Sequence, residues 1–321
     1  MKRILITGAL GQIGSELTPF LREKFGKDKV IASDIKKLPA EKKDLVEPFE
    51  EIDCLNAPQI FQVVRKYQID TIFHLAAILS AKGEENPQLA WKVNINGLYN
   101  ILEIAKENHC SVFTPSSIAA FGPSTPKKNT PQETIQRPNT IYGLTKVSGE
   151  LLCDYYHLKY GLDTRGVRFP GIISYVTLPG GGTTDYAVEI FYAALKNKKY
   201  NCFLKKDTRL DMLYMPDALK ATLEIMQADP AQLRYRNAYN ITAESFTPEE
   251  LAQEIKKHIP DFEITYTVDL LRQSIADSWP DKLDDKAARE DWGWSPDYNL
   301  QKMTKDMIEK LKDKLFTKLL K

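Results

Sequence analysis

Long apolar runs, an excess of charge of either sign and clustered cysteines are all missing from this chain, and each absence removes a class of function. No stretch approaches the ~18 consecutive apolar residues that carry a helix across a bilayer, so no membrane partner is expected. The opening segment, Met1-Lys2-Arg3-Ile4-Leu5-Ile6-Thr7-Gly8, leaves its apolar run after three residues and reads as a buried strand instead of a signal peptide. With 44 basic and 43 acidic side chains the formal charge is +1, too little for the basic footprint that grips a phosphate backbone, so no nucleic-acid partner is expected. Four cysteines (Cys54, Cys110, Cys153, Cys202) and four histidines (His74, His109, His157, His258) fall at no CxxC or HxxxH spacing that would gather a metal. The expectation is a metal-free site in a reducing cytoplasm.

What is there is an ordinary packed protein. The 321 residues, 43% hydrophobic and 27% charged, amount to about two domains at roughly 150 residues each. Disordered, collagen-like and disulfide-scaffold classes drop out on that composition.

Periodicity gives the organisation. A buried strand at 4–7 runs through a glycine cluster into a helix from about residue 13. Further strands are predicted at 29–33, 71–76, 111–114 and 164–169, with helices at 58–67, 88–107 and 139–160 between them. Strands alternating with helices at this spacing form a parallel sheet covered on both faces, because each crossover needs a helix to return the chain. The first part, residues 1–170, is therefore read as a doubly wound α/β domain. After Pro170 the rhythm changes, with a glycine-rich loop at 179–182 and helices near 186–196, 216–228 and 248–258. Residues 171–321 are expected to form a smaller α+β domain, with a return of the chain to the large sheet around 209–242. The lysine-rich amphipathic segment 300–320 reads as a helix with one solvated face.

Gly8-Ala9-Leu10-Gly11-Gln12-Ile13-Gly14 lies between a predicted strand and a predicted helix, the setting in which glycines let the backbone approach a pyrophosphate at a helix N-terminus. The spacing is GxxGxxG, not GxGxxG. Asp34 falls 20 residues beyond Gly14, where a carboxylate accepts hydrogen bonds from ribose hydroxyls and repels a 2′-phosphate. NAD is thus favoured over NADP. Asp53, at a plausible third strand end, could reach the adenine amino group or be an ordinary surface aspartate.

Tyr142 and Lys146 stand four apart and share a face if the segment is helical. A cation beside a phenol favours the phenolate, which makes a usable base. Ser116 and Ser117 end the preceding strand, on the side of the sheet where ligands bind.

Together, Thr7 to Gly14, Leu75-Ala76-Ala77, Ser116-Ser117 and Tyr142 to Lys146 resemble the extended short-chain dehydrogenase/reductase superfamily, whose fold is a Rossmann sheet that binds NAD. Within it, the segments 115–123, Pro179-Gly180-Gly181-Gly182-Thr183-Thr184-Asp185-Tyr186 and Asp277-Ser278-Trp279-Pro280 resemble the short-chain L-threonine 3-dehydrogenases. That resemblance implies oxidation of the L-threonine 3-hydroxyl by NAD to 2-amino-3-ketobutyrate, without a metal. It makes Tyr142 the base, Lys146 the group that favours its phenolate and holds the nicotinamide ribose, and Ser117, with Ser116 as substitute, the partner of the reacting oxygen. Gly8, Gly11, Gln12, Ile13, Gly14, Asp34, Asp53, Leu75, Ala76, Ala77 and Asn94 would bind or shape the cofactor site, although Asn94 also reads as a helix-surface amide. Ser80, Gly181, Thr183 and Thr184 would bind substrate, and Trp279 would close the pocket. Loop capping for the hydroxyls and core packing for Trp279 are the plain alternatives, and His74 is read as a core residue.

Two other functions share these features. A nucleotide-sugar epimerase or dehydratase would use the same Tyr142, Lys146 and NAD, with Arg209 and Arg272 as candidate contacts to a diphosphate. An NAD-sensing protein would need no Tyr142, Lys146 or Ser117. Related enzymes pair through the helices corresponding to 88–107 and 140–160, which implies a homodimer.

Overall fold

The computed structural model describes residues 1–38, 46–178, 180 and 182–316. In chain order the first half contains β1 (Ile4–Thr7), α1 (Gln12–Phe25), β2 (Val30–Asp34), β3 (Phe49–Glu51), α2 (Ala57–Tyr67), β4 (Thr71–His74) and α3 (Ser80–Glu85). There follow α4 (Pro87–Trp91), a π-helical turn (Lys92–Asn96), α5 (Gly97–Asn108), β5 (Ser111–Phe113), β6 (Ser116–Ser117), α6 (Ile141–Tyr160), β7 (Thr164–Arg165) and β8 (Val167–Phe169). The second half holds β9 (Gly171–Ile173), α7 (Tyr186–Asn197), β10 (Lys199–Cys202), β11 (Leu210–Tyr214), α8 (Met215–Gln227) and β12 (Tyr239–Asn240). It closes with β13 (Glu244–Phe246), α9 (Pro248–Lys256), β14 (Glu263–Tyr266), α10 (Leu270–Ser278), α11 (Lys286–Trp292) and α12 (Leu300–Phe316).

The large sheet has the order β3-β2-β1-β4-β5-β7 and is parallel throughout. Its inner strands β1, β2, β4 and β5 are largely apolar and buried because helices cover both faces, as expected for a doubly wound sheet, whereas the edge strands β3 and β7 are more polar. One core joins Ile4, Ile6 and Phe73 to α1 and α8, and a second joins Leu5, Ile72 and Val112 to α2, α5 and α6. The order reverses between β1 and β4, which opens a crevice beyond their C-terminal ends.

Two expected elements are interrupted. The strand at 164–169 breaks at Gly166, where a Cβ would lie 2.2 Å from the Thr114 carbonyl oxygen. Beyond the break β8 pairs in parallel with β6 and β12 in a three-stranded sheet of its own. Residues 239–240 therefore lie beside strands of the first half but do not join the large sheet as expected. The expected single helix at 88–107 contains the π-helical turn, which carries Asn94.

In the second half β9, β11 and β13 form a mixed sheet, and β10 pairs with β14. A third core packs α7, α9 and α12 against Ile118, Phe121 and Trp279. Tyr142 packs against this third core from α6, which places the Tyr/Lys helix at the junction of the two halves. Among the described residues no helix is long and apolar enough to cross a membrane.

Candidate active site

The glycine turn is set by close backbone approach. Gly8 has φ of +72°, and a Cβ there would come 2.7 Å from the Ala76 amide nitrogen. At Gly14 a Cβ would sit 2.3 Å from the Gly8 carbonyl oxygen, so α1 can pack onto the turn only if this residue is glycine. Gly11 caps α1 without a side-chain hydrogen bond, and the first turn carries no acidic residue. Its free amides and positive dipole end suit an anionic group.

Asp34 ends β2, buried, with Oδ2 accepting the Leu10 amide at 3.0 Å and Oδ1 accepting the Lys36 amide at 3.0 Å. The carboxylate is thereby fixed beside the glycine turn, with lone pairs left for ribose hydroxyls. Asp53 follows β3 and uses Oδ1 to accept the Leu55 amide at 2.9 Å. A cradle that any Cβ would fill, beside an anchored carboxylate, fits an adenine dinucleotide.

Helix α6 starts where the Thr140 hydroxyl accepts the Gly143 amide. Gly143 lets this first turn lie against the 118–120 turn, since a Cβ would meet the Ala119 carbonyl oxygen at 2.2 Å. Tyr142 and Lys146 are both half-buried, and the Lys146 ammonium lies 5.4 Å from the Tyr142 ring centroid. The two serines of β6 have different partners. Ser116 donates its proton to the buried Glu150 carboxylate, whereas Ser117 Oγ accepts the Ala119 amide at 3.2 Å. Ser117 therefore keeps its own proton to donate, and Ser116 does not.

A cleft of about 820 Å³ gathers these groups. Gln12, Ile13, Leu75 and Ala77 reach it from the nucleotide crevice, Ser116, Ser117, Tyr142 and Lys146 from β6 and α6, and Ser80, Thr183, Thr184, Asp185 and Trp279 from the remaining loops and helices. Thr183 is 1% exposed and its hydroxyl has no hydrogen-bond partner among the described residues. An unpaired buried hydroxyl is costly, and here it lines a cleft. Trp279, 6% exposed, both packs in the third core and walls the cleft. Gly181 lies outside the described residues.

Ala76 and Asn94 line an adjoining cavity with His74, Lys146 and Glu150. Asn94 is buried, not a surface amide: its Oδ1 accepts the Ile78 amide at 2.8 Å, and its Nδ2 donates to the Ile78 carbonyl at 3.1 Å and to Thr145 Oγ1 at 3.0 Å. It clamps the loop after β4 to the Tyr/Lys helix. His74 is also buried, with Nδ1 2.8 Å from Thr7 Oγ1. Burial, and next the Lys146 charge, push its pKa down to about 3, so the ring stays neutral.

Sequence reasoning missed Glu150, Arg168 and Asp185. Glu150 had a weak signal, standing four residues after Lys146 on the same face; Arg168 had none, because its partner is 18 residues away on another element.

The chain matches the family model described as the NAD dependent epimerase/dehydratase family over residues 4–242. An uncharacterized epimerase/dehydratase of Staphylococcus haemolyticus is 51% identical over 314 residues, covering 98% of this chain and 99% of that protein. L-threonine dehydrogenase from Clostridium difficile superposes with a TM-score of 0.95 at 59% identity, covering 98% of each chain. The Phytophthora infestans L-threonine dehydrogenase gives 0.94 at 51% identity, over 98% of this chain and 100% of the other. With the parallel sheet, the glycine cradle and the Tyr142/Lys146 helix, these likenesses mean that the chain belongs to the NAD-dependent epimerase/dehydratase family of extended short-chain dehydrogenases/reductases and that its cofactor is NAD.

Proposed function

We propose that this protein oxidises the 3-hydroxyl of L-threonine to L-2-amino-3-ketobutyrate with NAD. The observation that carries the reading is the buried hydroxyl of Thr183, without a hydrogen-bond partner among the described residues, in the same cleft as Ser117, Tyr142 and Lys146. A small polar substrate would satisfy it. Likeness to the Clostridium difficile and Phytophthora infestans L-threonine dehydrogenases along nearly the whole chain supports the same substrate.

Gly8, Gly11, Gln12, Ile13, Gly14, Asp34, Asp53, Leu75, Ala76 and Ala77 would hold the dinucleotide, and Asn94 would keep their loop against α6. Bound there, NAD supplies the hydride acceptor. Tyr142 as phenolate would take the proton from the substrate hydroxyl, while Lys146 keeps a positive charge beside the ring. Ser117 would donate to the reacting oxygen and orient the alcohol, so that positioning is much of the protein's contribution. Ser80, Thr183 and Thr184 would bind the charged ends of the amino acid, with Trp279 as a wall. NADH formation from NAD and L-threonine tests the reading; protein that binds NAD but forms none would sink it.

The Staphylococcus haemolyticus relative is named an epimerase/dehydratase, and the second reading is a nucleotide-sugar epimerase on the same scaffold. Its diphosphate needs cations, yet Arg209 is engaged by the Ser245 carbonyl and Glu250, and Arg272 lies 4.2 Å from the Phe203 ring centroid. Neither lines the cleft, whose one cation among the described residues is Lys146.

The working division is a dinucleotide-binding domain over 1–170, with the 209–242 segment returning to it, and a substrate-binding domain over 171–321. In its support, α8 packs in the same core as α1. A homodimer through the helices near 88–107 and 140–160 would cover Trp91, Tyr99, Leu151, Tyr155 and Leu158, all exposed here, the last by 83%. A reducing cytoplasm suits the four cysteines, each free and buried.

A further inference from the structure

We propose that Glu150 is a positioning residue for the reaction, holding Ser116 and through it the neighbouring Ser117 in place against Tyr142. The inference rests on the role given to Ser117 above. Tyr142, Lys146 and Glu150 follow one another at four-residue spacing and so lie along one face of α6. Lys146 Nζ donates to the Pro115 carbonyl at 2.7 Å, and Glu150 Oε1 accepts the Ser116 hydroxyl. The helix that carries the base thus grips two consecutive residues of the strand end, and the next residue is Ser117.

Glu150 cannot swing away from this contact. Its Oε1 also accepts Arg168 Nε at 2.9 Å, and its Oε2 accepts Arg168 Nη2 and Gln136 Nε2, each at 2.8 Å. Arg168 is held in turn by the Gln132 carbonyl and Asn240 Oδ1. Both side chains of the pair are less than a tenth exposed, so moving either would strand a buried charge. Strand β6 itself has two residues and, among the described residues, pairs only with β8. Such a short strand needs the side-chain anchor, and a misplacement of about 1 Å in a reacting group is enough to slow a reaction strongly.

The test breaks the contact from the Ser116 side, which spares the Glu150–Arg168 pair. Steady-state kinetics with NAD and L-threonine would be measured for wild type, Ser116→Ala, Ser117→Ala and the double variant, with melting temperatures alongside. The expected result is a folded Ser116→Ala with a modestly lowered melting temperature, a kcat lower by about tenfold, unchanged KM values, and a double variant no slower than Ser117→Ala alone. A wild-type kcat in Ser116→Ala overturns the proposal; so does a loss that multiplies with Ser117→Ala, or one that appears in KM for L-threonine as a direct substrate contact would. If Ser116→Ala does not fold, Ser116→Cys, of similar size with a much weaker donor, is read in the same way. A wild type inactive on L-threonine instead defeats the functional reading, and a fully active Ser117→Ala defeats the role given to Ser117; either takes this proposal with it.

Discussion

The ammonium of Lys146 donates to the carbonyl oxygen of Pro115 at 2.7 Å. This joins the helix that presents Tyr142 to the strand end that presents Ser117, and it fixes a positive charge 5.4 Å from the Tyr142 ring centroid. Tyr142, the proposed base, and its charged neighbour are built as one unit.

Replacing Tyr142 by Phe removes only the phenolic oxygen. NADH formation should fall by about a thousandfold, within the range of general-base contributions, while NAD affinity, followed by quenching of protein fluorescence, stays within a few-fold. Full activity in Tyr142→Phe would remove this residue as the base, and an inactive variant with normal NAD binding would exclude a purely sensing role.

The glycine cradle gives a second expectation. In Gly14→Ala the new methyl group meets the Gly8 carbonyl oxygen at 2.3 Å and the Ala9 Cα at 2.7 Å, both backbone atoms that yield only if the turn moves. A loss of roughly 1 to 3 kcal/mol of stability is expected from such overpacking, with NAD binding weakened at least tenfold. At Gly11 the nearest atom is 3.2 Å away, so Gly11→Ala should be better tolerated in calorimetry. Equal effects at the two positions would contradict this account.

Thr183→Val separates binding from folding. Removing a buried hydroxyl that has no partner among the described residues should leave the melting temperature unchanged or raise it, by up to about 1 kcal/mol of stability. If L-threonine satisfies that hydroxyl, KM for L-threonine should rise about tenfold with little change in kcat, the pattern of lost ground-state binding. An unchanged KM would place the substrate elsewhere.

Glu16 makes stability depend on pH. It sits on α1 and accepts the Ser174 hydroxyl, and burial raises its pKa to about 7, against the opposing effects of Ser174 and the Lys314 charge. In the unfolded chain a glutamate ionises near 4.3, roughly, so between about pH 4.5 and 7 the folded state binds more protons than the unfolded one. Stability from this group therefore falls as pH rises through that window and levels above it. Glu16→Gln cannot ionise, and its melting temperature relative to wild type should climb from pH 4.5 to 7. A difference that stays constant with pH would show that Glu16 is already ionised in the folded protein.

The doubly wound sheet was legible because its inner strands are short apolar runs and the glycine turn, Asp34 and the Tyr142/Lys146 pair are local patterns with fixed spacing. The break at Gly166 carried a signal that periodicity overlooked, a glycine inside an apolar strand, which marks a close approach of another backbone. The π-helical turn around Asn94 left no trace in the apolar pattern. The turn carries the clamp from Asn94 to Ile78 and Thr145, residues distant in sequence. The different duties of Ser116 and Ser117 were equally hidden, since only folding brings Glu150 and Arg168 to the first of them. Arg209 and Arg272 looked available in the sequence, and the fold commits both to other partners.

The most direct test of the central claim is NADH formation by the purified protein with NAD and L-threonine, beside L-serine, D-threonine and UDP-sugars. Rapid formation with L-threonine is the result predicted, with the other substrates reading out selectivity. Protein that binds NAD, forms no NADH from L-threonine and interconverts a UDP-sugar would contradict it.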